Sequence, residues 1–278
     1  MALPDFSVLM PVYFREKPRF FREALQSIFD NTVQPQEVVL VCDGPLTLDL
    51  EEVLQEFVGR PGLKILRKNR NSGIVDALNM GLAACTTELI IRCDSDDVNT
   101  PERFATLVAQ LAEGWDIVGS SVREIDGDGK TLWSKRVPLG QASIARRARL
   151  RNPINHMSVA FRRDLVLSLG GYPEVFLRED YALWARALRR EARVCNLPQD
   201  LVLARAGVAM YRRRRGWRSA LAELKLQRLL IQERVSTLPQ ALFWGGLRFS
   251  ALLLPGFLLG FLYERILRGD AGRRGEAA

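Results

Sequence analysis

Three carboxylates within four residues are the group in this sequence with the clearest potential for chemistry. Asp94, Asp96 and Asp97 directly follow the apolar run Glu88–Cys93. Carboxylates this close repel one another unless a cation neutralises them. Mg²⁺ and similar hard cations such as Mn²⁺ are bound by one or two carboxylates together with substrate phosphates. An acidic turn that caps the following helix would use the same residue types, so this segment alone leaves both interpretations open.

A fourth carboxylate occupies the corresponding place after another apolar run. Asp43 follows Glu37–Cys42 and begins an Asp-Gly-Pro sequence, which is typical of a turn. The same carboxylate could accept hydrogen bonds from the base or ribose of a nucleotide. Asn71-Ser-Gly73 precedes a predicted helix rich in small residues, where a phosphate or ribose could approach the backbone. Each position is a candidate for a nucleotide site and has a structural explanation as well.

Two further candidates lie in the second half of the chain. Glu179 and Asp180 open a predicted helix, where the helix dipole stabilises acidic side chains. One of them could instead serve as a general base. His156 is the only histidine, and its sequence position is compatible with a metal ligand, a phosphate donor or a core residue.

The elements that position these residues alternate between strands and helices. Runs such as Ser7–Val12 and Glu37–Cys42 are typical of strands buried on both faces, and Pro18–Phe29 between them has apolar residues at helical spacing. Further strands are predicted at Leu63–Leu66, Glu88–Cys93, Trp115–Gly119, Ser121–Ile125, Lys130–Ser134 and Met157–Phe161, and further helices at Ile74–Ala84, at Pro101–Glu113 with Thr100 as N-cap, and at Tyr181–Arg193. This order predicts an α/β fold with a Rossmann-like, mixed and mostly parallel sheet flanked by helices. Ligands of such sheets bind at the carboxyl ends of the strands, where Asp43 and the acidic run would both lie.

Composition excludes several classes of protein. The 278 residues are 47% hydrophobic and 26% charged, which is unlike a disordered chain, a collagen-like fibre or a disulfide-stabilised miniprotein. Four cysteines without a Cys-x-x-Cys pair and a single histidine argue against a structural zinc site. The amino terminus lacks the basic and apolar regions of a secretory signal, so we expect a cytoplasmic protein.

The charge is divided unevenly along the chain. Residues 1–140 contain 15 basic and 21 acidic side chains, whereas residues 141–278 contain 25 basic and 11 acidic ones. Such asymmetry suggests an anionic partner for the second half. A solvated, solubilising arginine surface is the alternative.

The C-terminal region combines basic and apolar segments. Leu238–Leu247 and Phe249–Tyr263 are apolar, and the second block has 15 residues, where a spanning helix needs about 20. Residues 205–234 before them carry nine basic and two acidic side chains, which favour an anionic lipid surface. We therefore predict a helical tail that attaches the protein peripherally to the inner face of the cell membrane. A tail helix packed on the domain and a spanning helix from Leu238 are the alternatives.

Taken in order, these motifs resemble those of family 2 glycosyltransferases of the GT-A fold. The resemblance is carried by Val8–Tyr13, Val41–Gly44, Asn71-x-Gly73, Ala77–Asn79, Arg92–Asp97, Asn155–Met157, Gly170–Tyr172 and Glu179–Trp184. The last three are similar to the subgroup that builds bacterial exopolysaccharide and lipopolysaccharide, the amylovoran-biosynthesis type. The resemblance covers about residues 6–215. We divide the whole chain into three parts. These are a nucleotide-sugar-binding half, 1–100, an acceptor-binding half, 101–215, and the basic and apolar tail, 216–278.

The resemblance implies an inverting transfer from a nucleoside-diphosphate sugar, with a UDP-sugar favoured, to a glycan or lipid-linked acceptor in cell-surface polysaccharide synthesis. It implies nucleotide-sugar contacts at Pro11, Val12, Tyr13, Asp43, Asn71, Gly73, Asn79, Arg92, Asp94 and Ser95. It makes Asp94 and Asp96 ligands of Mn²⁺ or Mg²⁺, with His156 as a further candidate. Asp180 would be the general base and Glu179 would orient it. Asn155, Arg212 and Arg213 are candidates for contacts to the diphosphate or acceptor.

One departure from the family pattern concerns the base. The family often has a second acidic residue or a serine after the carboxylate of the second strand, and here the sequence is Asp43-Gly44-Pro45. The identity of the base is therefore open.

Two other functions are compatible with parts of this pattern. A non-catalytic, basic protein that binds membrane or nucleic acid could keep the same fold, and the positive second half motivates it. A nucleotidyltransferase could use the same metal but would release diphosphate. The acidic strand end argues against nucleic acid as a ligand of the first half, and we expect no nucleic-acid partner.

Overall fold

The computed structural model describes residues 3–206 and 216–253. Its strands are β1 (Phe6–Val12), β2 (Glu37–Cys42), β3 (Leu63–Arg67), β4 (Leu89–Arg92), β5 (Val98–Asn99), β6 (Ile117–Ile125), β7 (Thr131–Lys135), β8 (Ala160–Arg162) and β9 (Val194–Arg205). Its helices are α1 (Pro18–Phe29), α2 (Leu48–Gln55), α3 (Ile74–Ala84), α4 (Arg103–Ala112), α5 (Gln141–Ala148), α6 (Arg163–Ser168), α7 (Glu179–Arg189), α8 (Trp217–Gln232) and α9 (Leu238–Leu253), with a short 3₁₀ helix at His156–Ser158.

One sheet joins all of these strands, in the order β3-β2-β1-β4-β8-β6-β9-β5, with β7 paired to β6. The first four strands of this order are parallel to one another. Strand β8 then pairs antiparallel with both β4 and β6, and β6 pairs parallel with β9. This mixed, largely parallel sheet with flanking helices confirms the predicted fold class.

The sheet is covered on both faces because its central strands are apolar throughout. Every residue of β1 and β2 is buried. Alternate residues of β1 point to opposite layers: Val8 and Met10 pack with α1, α2 and α4, whereas Leu9 packs with α3 and α7. Helix α1 forms where the sequence places Phe21, Leu25 and Ile28 on one buried stripe. The parallel half of the sheet therefore has its carboxyl ends fixed by a core on either side.

Four predicted elements differ in detail from the structure. The two strands predicted at Trp115–Gly119 and Ser121–Ile125 are one strand, β6, since the serines between them continue the ladder to β9. Helix α4 begins at Arg103 rather than after Thr100, because Pro101 and Glu102 form a turn first. The strand predicted at Met157–Phe161 is divided, with a 3₁₀ turn before the short strand β8.

Strand β9 was not predicted from the sequence because its middle is polar and contains Pro198. The ladder to β6 jumps from Leu197 to Asp200, so Pro198 and its neighbour lie in a bulge. Proline is tolerated there because the bulge needs no ladder hydrogen bond from it. Helices α2, α5 and α6 were also not predicted.

Helices α8 and α9 form an antiparallel pair at the end of the described chain. Leu226 and Leu230 of α8 pack against Tyr181 and Ala182 of α7, which joins the pair to the main domain. None of the helices in the described ranges is both long enough and apolar enough to cross a membrane. The predicted apolar block Phe249–Tyr263 extends past the last described residue, so most of it lies outside the described part of the chain.

Candidate active site

A cavity of about 660 Å³ opens at the carboxyl ends of the parallel strands. It brings together these predicted site residues: Pro11, Val12, Tyr13, Asp43, Asn71, Gly73, Arg92, Asp94, Ser95, Asp96, Asn155, His156, Glu179 and Asp180. The structure therefore gathers residues from both halves of the sequence around one cavity. Asn79 is not in this lining, and Arg212 and Arg213 lie outside the described residues.

The three aspartates after β4 form a compact group. One carboxylate oxygen from each of Asp94, Asp96 and Asp97 lies within 4.8 Å of the others. Burial raises the pKa of Asp96 to about 7, and the charge of Asp94 adds to this effect. Burial and the charge of Asp96 raise the pKa of Asp97 well above its ordinary value. The three carboxylates repel one another when they are ionised, and a divalent cation would neutralise that repulsion. Carboxylate oxygens are also the hard ligands that Mn²⁺ and Mg²⁺ prefer, so the group fits either cation.

Two arginines hold this acidic group in place. Arg92, only 2% exposed, forms an ion pair with Asp94 through one terminal nitrogen. Its Nε and Nη1 are buried and have no hydrogen-bond partner within the described chain. The backbone N–H of Arg205, at the end of β9, donates to Asp97 Oδ1 at 2.7 Å. Asp97 thus ties the acidic loop to a distant strand, a contact that the sequence could not indicate.

Asp43 accepts four hydrogen bonds and organises the loop between β3 and α3. Oδ1 receives the ammonium of Lys68 at 2.7 Å and the backbone N–H of Ser72 at 3.0 Å. Oδ2 receives the Asn71 side chain and the Gly73 N–H, both at 2.9 Å. Asp43 lines the cavity, but its oxygens already fix the wall that a base would meet. Its observed role is therefore to shape this wall, and contact with the base stays a prediction.

Glycine next to Asp43 is required by close packing. Gly44 has φ of +90°, and a Cβ there would lie 2.5 Å from the backbone nitrogen of Asn71. Any side chain at this position would push the loop of Gly44 and the loop of Asn71 apart. Asp43-Gly44 therefore has the predicted turn role as well as its place in the cavity.

Asn79 has a structural position outside the cavity. Its side chain donates to the carbonyl oxygen of Tyr172 at 3.0 Å and accepts from the N–H of Tyr172 at 2.8 Å. This pair of bonds joins α3 to the turn before α7. The observed contacts of Asn79 thus position the domain's second half rather than line the site.

Glu179 and Asp180 begin α7, as predicted, and differ in environment. The Nδ2 of Asn152 donates to Asp180 Oδ2 at 2.5 Å, and the N–H of Tyr181 donates to Asp180 Oδ1 at 2.7 Å. Glu179 is buried, and its Oε2 has no hydrogen-bond partner in the described ranges. Burial raises the pKa of Glu179 to about 7, and the charge of Asp180 contributes. The two acids therefore differ: Asp180 accepts hydrogen bonds through both oxygens, whereas the raised pKa of Glu179 means that it keeps its proton below about pH 7.

His156 lines the cavity and lies among aromatic rings. Its Nε2 is 3.1 Å from the hydroxyl of Tyr172, and its ring contacts Trp184 edge-on. Burial lowers the pKa of His156 well below its ordinary value, and nearby Arg92 adds to this effect. The histidine is outside the three-aspartate group, so its observed role is that of a neutral, hydrogen-bonded side chain.

Asn155 is also engaged in the fold. It is buried, and its Nδ2 donates to the carbonyl oxygen of Ser120 in β6 at 3.0 Å. Its contact with a diphosphate or acceptor stays a prediction.

Several lining residues were not candidates in the sequence. They are Glu16, Asn152, Arg178, Glu223 and Arg248. Asp97, which belongs to the acidic run selected from the sequence, lines the cavity as well. Arg178, Glu223 and Arg248 have no local signal, since they reach the cavity only through the packing of α7, α8 and α9. Glu16 follows β1 and Asn152 follows α5, and no sequence motif marks either one.

The fold is the GT-A fold of glycosyltransferases. The same fold occurs in S. aureus TarS 1-349 in complex with UDP-GlcNAc, with a TM-score of 0.64, 19% identity, and coverage of 90% of this chain and 76% of that chain. It also occurs in the mannosyltransferase PcManGT from Pyrobaculum calidifontis in complex with GDP-Man and Mn²⁺, with a TM-score of 0.58, 16% identity, and coverage of 100% and 89%.

Within that class, the chain belongs to glycosyl transferase family 2, whose model matches residues 7–169. It is 36% identical to the amylovoran biosynthesis glycosyltransferase AmsE of Erwinia amylovora, over 95% of this chain and 100% of that protein. It is 35% identical to the UDP-Gal:alpha-D-GlcNAc-diphosphoundecaprenol beta-1,3-galactosyltransferase of Escherichia coli, over 95% and 97%. These findings confirm the predicted family and the prediction that the protein is a glycosyltransferase.

Proposed function

We propose that this protein transfers a sugar, with inversion, from a UDP-sugar to a lipid-linked glycan acceptor during bacterial cell-surface polysaccharide synthesis. The observation that carries the proposal is the placement of two carboxylate groups on different walls of one cavity: Asp94, Asp96 and Asp97 after β4, and Glu179 and Asp180 at the start of α7. The name of AmsE supports a role in polysaccharide synthesis, and that of the E. coli galactosyltransferase supports a lipid-linked acceptor. UDP-GlcNAc in the TarS complex supports the donor class.

The donor end of the cavity is the end with the three aspartates. Asp94, Asp96 and Asp97 would hold Mn²⁺ or Mg²⁺, which supplies a counter-charge for the diphosphate as it departs. Pro11, Val12 and Tyr13, at the end of β1, line the wall between the acidic loop and Asp43 and would contact the nucleoside. The complex of PcManGT with Mn²⁺ supports this cation.

Asp180 is the residue that would take the acceptor proton. In this step the acceptor oxygen forms a bond to the anomeric carbon, and the bond from that carbon to the diphosphate oxygen breaks. The proton of the acceptor hydroxyl passes to Asp180. Direct displacement inverts the anomeric centre, so an α-linked donor gives a β-linked product. Asn152 orients Asp180 for this task, and Glu179 lies beside it as the predicted orienting residue.

The test is a transfer assay with Mn²⁺ and a panel of sugar nucleotides, with nucleoside-diphosphate release as the readout. Asp96→Ala and Asp180→Asn should each abolish most of the activity, because one removes a cation ligand and the other the base. Release of inorganic diphosphate instead would identify a nucleotidyltransferase. Unchanged activity in both variants would refute the residue assignments.

We also propose that α9 attaches the protein to an anionic membrane surface on the cytoplasmic side. Leu242, Phe243 and Leu247 form an exposed apolar group on this helix, each more than half exposed. Exposed apolar groups of this kind on an amphipathic helix are typical of peripheral membrane contact. Arg218, Lys225 and Arg228, on the neighbouring α8, supply exposed or partly exposed positive charge.

Vesicle sedimentation tests this attachment. The full-length protein should bind vesicles that contain phosphatidylglycerol, and Leu242→Asp with Phe243→Asp should weaken that binding. Leu48→Asp is the matched control, because Leu48 is an 81% exposed leucine on α2. Equal binding by all three proteins would contradict attachment through α9.

A further inference from the structure

The wall of the cavity formed by α7, α8 and α9 is rich in arginine. Arg178 immediately precedes α7, Arg248 lies on α9, and Arg151 follows α5; all three line the cavity. We call Arg178 and Arg248, with the acid that joins them, the arginine pair. The acidic end of the cavity lies on a different element, the loop after β4. The cavity thus has an acidic loop on one wall, and on the other wall these arginines lie near the acid pair Glu179 and Asp180.

The arginine pair is joined by a single buried acid. Glu223 of α8 is fully buried, and its Oε1 accepts from Arg248 Nε at 2.7 Å. Its Oε2 lies 3.4 Å from Arg178 Nε, and Gln227 donates to Oε1 at 2.7 Å. One carboxylate therefore balances two guanidinium groups, and arginine does not lose its proton in proteins. Glu223 alone therefore leaves one of the two positive charges unbalanced, and Glu179 is a further acid on which the charge of Arg178 acts.

The two terminal nitrogens of Arg248, Nη1 and Nη2, indicate where an anion could bind. Its Nη1 donates to the carbonyl oxygen of Leu150, and its Nη2 has no hydrogen-bond partner within the described residues. Planar guanidinium groups match phosphate oxygens in geometry as well as in charge. The arginine pair is thus a place for an anion that enters the cavity without a metal ion.

That anion is distinct from the donor's diphosphate. The donor diphosphate needs a cation to approach three aspartates, and it would lie against the loop after β4. The arginine pair adjoins the other reacting partner, since Arg178 is two residues before Asp180 and holds the start of α7 against α8. An anion bound here would lie on the acceptor side of Asp180.

We propose that the arginine pair binds the phosphate groups of a lipid-linked acceptor, with Glu223 as the residue that positions both guanidinium groups. This inference rests on the proposed function in one respect, that Asp180 faces the acceptor. It explains why the basic wall belongs to the helices that also carry the exposed leucines. Helix α9 presents Arg248 to the cavity and Leu242 and Leu247 to the outside, so an acceptor held in lipid would reach the cavity along this helix.

The probe for this site is geranyl diphosphate, which carries an isoprenyl diphosphate but no sugar. Its binding to the full-length protein is measured by titration calorimetry with UDP and Mn²⁺ present in excess, so that the donor end is occupied. Arg248→Gln and Arg178→Gln should each weaken binding by about tenfold or more, since each removes a charge-assisted contact. Geraniol should bind far more weakly than the diphosphate. Arg189→Gln is the matched control, because Arg189 is an exposed arginine of α7 outside the cavity lining, and it should bind as the wild type does.

Folding is monitored in the same samples. Arg248→Lys keeps the positive charge but lacks the planar guanidinium group, so it should recover part of the affinity for geranyl diphosphate. Each variant should retain its UDP affinity and cooperative thermal unfolding. Undiminished geranyl diphosphate binding in both glutamine variants would overturn the proposal. A loss of binding to phosphatidylglycerol vesicles in Arg248→Gln, with geranyl diphosphate binding intact, would assign the pair to a lipid headgroup and also overturn it.

This result separates from that of the transfer assay. If no sugar nucleotide supports transfer but geranyl diphosphate binding still depends on Arg248, the anion site stands and the proposed reaction fails. If transfer proceeds and the arginine variants bind the probe normally, the reaction stands and the acceptor-phosphate site fails.

Discussion

Glu179→Gln should stabilise the folded protein above neutral pH, although it removes one of the two carboxyl groups at the start of α7. Glu179 is buried beside Asp180, and its pKa rises from 4.5 to about 7 on folding. A raised carboxyl pKa costs nothing when the group is protonated in both states. The loss of stability develops as the pH rises above the carboxyl pKa of the unfolded state, and it is complete above the carboxyl pKa of the folded state. At about 1.4 kcal/mol per pH unit, ionised Glu179 destabilises the fold by about 3 kcal/mol at pH 8.

Glutamine has nearly the same shape as glutamate and no charge to bury. We therefore expect Glu179→Gln to raise the free energy of unfolding by about 3 kcal/mol at pH 8 and by no more than about 1 kcal/mol at pH 5. Urea unfolding followed by tryptophan fluorescence at the two pH values measures this difference. Glu174→Gln is the control, because Glu174 is exposed shortly before the same helix, and it should be neutral at both pH values. A gain in stability that is absent at pH 8, or equal at both pH values, would refute the burial argument.

Three further variants test the rest of the site. Asp96→Asn should raise the Tm at pH 8 without a divalent cation, because it removes a repelled carboxylate whose pKa is about 7, and Mn²⁺ should then stabilise the wild type more than the variant in thermal unfolding. Asn152→Ala should lower kcat by about 10- to 100-fold with little change in the donor KM, because Asp180 loses the hydrogen bond that orients it; an unchanged kcat in steady-state kinetics would contradict this. Asp43→Ala should cost about 3 kcal/mol in urea unfolding, since it removes four hydrogen bonds to a buried carboxylate and leaves the ammonium of Lys68 paired with the exposed Asp76; a loss of donor binding without a loss of stability would show instead that Asp43 acts mainly on the nucleotide.

The parallel half of the fold was predictable because its signals are local. Continuous apolar runs such as Glu37–Cys42 need burial on both faces, and the segment Pro18–Phe29 between two of them has one apolar stripe. Strand β9 was not predictable, because Pro198 and Asp200 fit a strand only where β6 provides a bulge. That bulge is a property of two paired segments rather than of either one.

The residues of the candidate site likewise fall into those that local sequence predicts and those that only the fold brings together. Asp94, Asp96 and Asp180 could be selected from sequence because each lies at the end of a strand or the start of a helix that its neighbours define. Asn152 could not be selected, because only folding brings it to Asp180. His156 is a candidate as the single histidine and Asn79 through the family resemblance, and the structure shows both in hydrogen bonds with Tyr172.

The sequence by itself determined the four parallel strands, helices α1 and α3, the acidic loop after β4 and the acid pair of α7, because these depend on residues close together in the chain. The tertiary structure decided which groups share a cavity and which charges meet. Only packing of α8 and α9 on α7 brings Glu223 between Arg178 and Arg248, and so sets a basic wall in the same cavity as the acidic loop. Charge interactions depend on distance in space and on burial, and neither can be read from positions along the chain.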